Sequence, residues 1–166
     1  PGIRVSSDVR IHNVIGGHVV SRQLTNSLAE PTTDKFIYTG IDLSSAQLGG
    51  SCVLAGCTLS VPAIYLRRIR VEGDLHIGVG FKSLVSVDAV GMQISGDVSV
   101  ILTPSDQKEV TNNCFLDISD LQAGSLSVAT SGAPAQIEIS AERVVIAKNV
   151  SLDLGRAREE LTTFSN

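Results

Sequence analysis

Aromatic residues make up only 4% of this 166-residue chain, and tryptophan is absent. A chain so poor in rings cannot line a bulky ligand cage, and its apolar supply is Val, Ile and Leu, which suit stacked strands. Basic runs are missing too. The formal net charge is -4, which disfavours general nucleic-acid binding, because that needs a basic stripe facing the phosphates. No apolar run reaches membrane-spanning length, so no membrane insertion is expected. No charged-then-apolar leader opens the chain. Cysteine is sparse and odd in number: Cys52, Cys57 and Cys114. With no leader, that argues against a disulfide framework and for a reducing, cytoplasmic location. Cys52 and Cys57 have no second ligand pair, so a zinc site is not expected. Neither is any other metal or cofactor.

What the chain does have is 43% hydrophobic residues, enough to fold, arranged with a period. "QLGGSCVL" centres on Gly50, "RVEGDLHI" on Gly73, "QISGDVSV" on Gly96 and "LQAGSLSV" on Gly124, and "VIAKNVSL" puts Lys148 at the same point. Two positions on come Cys52, Leu75, Val98, Leu126 and Val150. Four positions on come Leu54, Ile77, Val100, Val128 and Leu152. The position between them is mostly polar: Val53, His76, Ser99, Ser127 and Ser151. This alternation marks a half-buried strand. A second short strand precedes most corners, as in "LVSVD" from Leu84 and "IEIS" from Ile137.

A unit this short cannot bury its own apolar face, so successive units must stack at roughly 4.8 Å. The predicted fold is all-β: a β-solenoid of about five parallel coils over residues 1–154, followed by a helical cap or docking tail over 155–166. In the tail, Ala157, Leu161 and Phe164 share one helical face. Glycine at each corner serves a positive φ or a close backbone approach. The run "GDLHIGVGF" has no helix after it, so it is not a phosphate loop.

The "GGSCVL", "EGDLHI" and "SGDVSV" corners resemble those of bacterial β-solenoid proteins, including pentapeptide-repeat proteins and bactofilins. The resemblance spans about two-thirds of the chain. It implies stacked coils, and no functional residue carries over from it.

Two stretches break the period: Ser21 to Lys35 and Leu102 to Asn113. Excursions from a rigid scaffold are where recognition is grafted, which makes Ser105, Asp106, Gln107, Lys108 and Glu109 the candidate binding residues. The position after each corner forms an outward row of Ser51, Asp74, Asp97, Ser125 and Asn149. Asp74, His76 and Asp97 are therefore the candidate acid/base or cation-binding cluster. The competing reading is a solvated ladder, since Asp beside Gly is ordinary corner chemistry. His12 and His18, near the "HNVIGGH" corner, read as surface or turn residues. Ser51 in "GGSC" belongs to the repeat, and Cys52 to the core.

Three functional classes follow, in order. The first is a non-catalytic scaffold module binding a protein partner, with a place in a larger assembly. The second is a structural protein that self-associates end to end. The third is a carbohydrate-active enzyme using the Asp74 face.

Overall fold

A computed structural model describes residues 3–12, 15–16, 18–24, 32–38, 40–59, 63–81, 84–104, 112–131 and 135–154. Among them there is no helix. The chain winds as a three-sided β-solenoid, each side a parallel sheet. The short sheet stacks Arg4–Val5, Gln47–Leu48, Arg70–Val71, Gln93–Ile94, Gln122–Ala123 and Val145–Ile146 in that order. The long sheet stacks Val9–His12, Cys52–Leu59, Leu75–Phe81, Val98–Pro104, Leu126–Thr130 and Val150–Asp153. The third sheet runs from Gly40–Asp42 through Ala63–Tyr65, Leu84–Asp88 and Asn112–Asp117 to Ala135–Ser140.

Among the described residues two of the sheets count six coils, one more than the repeat predicts. The extra coil is the first. Val9 pairs in register with Cys52 and Ile11 with Leu54, so "SSDVRI" is a corner whose glycine position is Ser7. Glycine at the later corners has a steric reason. At Gly73 an added Cβ would meet Ser51 N at 2.8 Å, at Gly96 it would meet Gly73 O at 2.8 Å, and at Gly124 it would meet Gly96 O at 2.8 Å. In every case the obstacle is the backbone of the coil before. Ser7, at the equivalent point of the first coil, is exposed.

None of Gly50, Gly73, Gly96 and Gly124 has a positive φ; close approach is their whole role. The left-handed position lies on another corner, where the third sheet turns into the short one. Ser45, Arg68, Gly91, Asp120 and Arg143 occupy it, with φ between 53 and 71°. Four of the five are not glycine, and an L residue there costs about 1–2 kcal/mol. Bonds between coils hold the corner: Ser45 N–H donates to Arg67 O at 2.8 Å, Arg68 N–H to Val90 O at 2.9 Å and Gly91 N–H to Ser119 O at 2.8 Å.

Inside, like stacks on like. Leu54, Ile77, Val100 and Val128 form one column and Ile64, Val87, Leu116 and Ile139 another, each no more than 2% exposed. At about 1.5–3 kcal/mol for each fully buried aliphatic, these columns supply the driving force for winding. Helical periodicity would break them, which is why the alternation in the sequence reads through to the structure.

The excursions are less loop-like than their composition suggests. The strand from Val98 reaches Pro104, and Leu102, placed in the excursion by its period, is fully buried opposite Val79. Within Ser21 to Lys35 the described parts form an antiparallel pair, His18–Leu24 against Thr32–Tyr38. Within "HNVIGGH" the described Ile15–Gly16 continues along the long sheet against Thr58–Leu59. The uneven steps around Gly124 also resolve. The fifth coil goes from Gln122 to Leu126 in four steps where the fourth goes from Gln93 to Val98 in five, so its corner has lost one residue.

Candidate functional site

The outward row at the glycine corner is continuous: Asp8, Ser51, Asp74, Asp97, Ser125 and Asn149. Its backbone closes the ladder. Cys52 N–H donates to Asp74 O at 2.8 Å, Leu75 N–H to Asp97 O at 2.9 Å and Val98 N–H to Ser125 O at 2.8 Å. The side chains stitch the same row. Asp8 Oδ1 accepts Ser51 N–H at 2.8 Å, Ser51 Oγ accepts Asp74 N–H at 3.1 Å, and Asp74 Oδ1 accepts Asp97 N–H at 2.8 Å. Each acceptor lies one coil before its donor. A corner residue has no strand partner for its N–H, and a short oxygen-bearing side chain in the coil before satisfies it. This explains the recurrence of Asp and Ser beside glycine.

The structure thus brings Asp74 and Asp97 to adjacent rungs, as the spacing predicts, but it assigns one oxygen of Asp74 to the backbone. Asp97 lies 3.9 Å from the Lys148 ammonium, an exposed contact. His76 is exposed on the long sheet, level with Val53 and Ser99, with no side-chain partner among the described residues. Neither neighbour supplies an acid or a base. Among the described residues no group of three or more His, Cys, Asp or Glu is placed to hold a metal ion.

Cys52 and Cys114 are unpaired and buried, and burial alone pushes their thiols up to about 11 and about 12. Desolvation disfavours the thiolate, so neither is a nucleophile at neutral pH. Cys52 is a core residue, as its register with Leu75 predicts. Ser105, Asp106, Gln107, Lys108 and Glu109 lie outside the described residues, as does the 155–166 tail. The side chains of His12 and His18 also fall outside them.

A feature absent from the sequence reading is the outward face of the short sheet. Arg4, Gln47, Arg70, Gln93 and Gln122 stand in register on successive coils, all exposed. Adjoining depressions run along this row, and Arg70 lines each of them. The signal lies three residues before Gly50, Gly73 and Gly96, in the leading letters of "QLGG", "RVEG" and "QISG", and two before Gly124. It is hard to read because the third side of the coil consists of two-residue strands, too short to show alternation.

No protein-family profile matches the chain, and no curated protein or solved structure gives a significant match. The fold itself is a parallel β-solenoid. No helix among the described residues is long and apolar enough to cross a membrane.

Proposed function

We propose that this chain is a non-catalytic β-solenoid scaffold module that binds a protein partner through the sixth coil. One observation carries the reading: the inward columns open there. Leu126 is 4% exposed and its register partner Val150 is 58%; Val128 is closed and Leu152 is 37% exposed. Among the described residues, Ala135–Ser140 and Val145–Ile146 are the last strands of their sheets. An apolar column beside an open sheet edge is the arrangement that accepts an added strand from another chain. The excursion at Ser105–Glu109 and the 155–166 tail belong to the same reading as further contact segments.

A second reading, end-to-end association of like chains, is favoured by the first coil. Ile3 is 57% exposed there, and Val5, Val9 and Ile11 are only partly covered. Those residues head the columns that Val144, Ile146, Val150 and Leu152 finish.

A photo-cross-linking residue at position 152, read by mass spectrometry alongside sedimentation over a wide concentration range, tests both. A monomer whose probe joins a different protein supports the partner reading. Species that grow with concentration, and are lost in V150K/L152K, support stacking. A monomer whose probe joins nothing, or only the 155–166 tail, overturns both.

A further inference from the structure

We propose that the outward face of the short sheet is a binding site for a linear, carboxylate-bearing glycan lying along the solenoid axis. The inference starts from where unpaired charge collects. Among the described cations, Arg10 pairs with Asp8, Arg67 with Asp88, Arg143 with Asp120 and Lys148 with Asp97. Arg4, Arg68 and Arg70 have no ion-pair partner among the described residues, and all three line the short-sheet depressions. The chain as a whole carries a net charge of -4, so this concentration is local. Arg68 projects from the left-handed corner, and its Cγ lies over Gly91, where an added Cβ would meet it at 3.5 Å. That places a guanidinium beside the row formed by Arg4, Gln47, Arg70, Gln93 and Gln122.

The chemistry of the row selects the ligand. A guanidinium binds a carboxylate through two parallel N–H bonds. A glutamine amide both donates and accepts, which suits hydroxyl groups. Along the row, Arg4 and Arg70 alternate with Gln47 and Gln93, so carboxylates are recognised on alternate rungs and hydroxyls between them. Adjacent strands are about 4.8 Å apart, so the two guanidinia stand on rungs about 9.6 Å apart. The single-rung step is close to the length of one sugar ring in an extended chain, and the double step to that of a disaccharide. Glu72, which shares two depressions with Arg70 without pairing to it, disfavours a ligand charged on every rung.

An extended acidic peptide fits less well. Its same-face side chains recur at about 6.7 Å and slip out of step with the coils. A single-stranded nucleic acid needs aromatic platforms for its bases, and this row has none.

The test is isothermal titration of the full chain with a hyaluronan tetrasaccharide, whose carboxylates fall on alternate rings, its methyl ester, a hexaglutamate peptide and an oligothymidylate. Binding of the free acid is expected, at least about tenfold weaker for the methyl ester and for R4Q/R70Q. R10Q, which alters a cation off this face, should bind as the wild type does. Both replaced arginines are exposed, so an unchanged melting temperature shows that the loss is not unfolding. The proposal is overturned by equal affinity in R4Q/R70Q, by equal affinity for the ester, by tighter binding of the peptide or the oligonucleotide, or by no binding of the free acid.

Discussion

Asp74 Oδ1 accepts the backbone N–H of Asp97 at 2.8 Å, across 23 residues of chain and one coil of solenoid. The contact turns an apparent acidic pair into a backbone device. A carboxylate committed to the next coil is positioned by the fold and serves the fold.

From this contact, Asp74→Ala should cost about 1 kcal/mol, because it leaves the Asp97 N–H without its acceptor. Asp97→Ala should stay within about 0.5 kcal/mol, since its side chain makes only the exposed contact with Lys148. Next to it, Val98→Asp should unfold the chain by placing a charge where the native side chain is 1% exposed. Thermal melts rank the three. Equal losses for the two alanine variants would remove the ladder's asymmetry.

The glycines separate by mechanism. Gly96→Ala drives a Cβ to within 2.8 Å of Gly73 O, so neighbouring backbone must shift, at a cost of roughly 3 kcal/mol or more. Gly91→Ala meets only the Arg68 stem at 3.5 Å but sits at φ 71°, for a cost of about 1–2 kcal/mol. Gly78→Ala, with its nearest contact at 3.7 Å and no positive φ, should be within about 1 kcal/mol of neutral. Urea midpoints check the order. A Gly78 variant as damaged as the Gly96 one would contradict the stacking distances.

Burial of Cys52 and Cys114 makes stability sensitive to alkali. An unfolded thiol ionises near 9.0, whereas the folded ones resist to about 11 and about 12. A group whose folded pKa is raised stabilises fully below the unfolded value and loses that contribution as pH climbs through the folded one. Melting temperature should therefore fall from about pH 9 toward pH 12, less steeply in C52A/C114A. Alkylation at pH 8, mapped by mass spectrometry, should leave both positions unlabelled until denaturant is added. Rapid labelling of either in the native chain would show that it is not buried.

The repeat was legible because a solenoid core is built from columns. Every coil must place an aliphatic at the same point, so Leu54, Ile77, Val100 and Val128 advertise their register along the chain. Glycine at positions 73 and 96 is legible for the same reason, since each Cβ would strike the coil before. Strand alternation and the burial of Cys52 follow from that register alone.

The sequence could not show what depends on distance between coils. Ser45, Arg68, Asp120 and Arg143 share a left-handed corner, yet nothing in four such different residues marks it, because backbone bonds from the adjacent coil hold the conformation. The first coil was hidden because its corner carries Ser7 where the later ones carry glycine. The partner of Asp74 was hidden because its donor comes from the next coil. The row of Arg4, Gln47, Arg70, Gln93 and Gln122 lies on two-residue strands, and only stacking turns those scattered residues into one face. Periodicity fixed which residues point inward; the pairing of coils decided which outward residues meet.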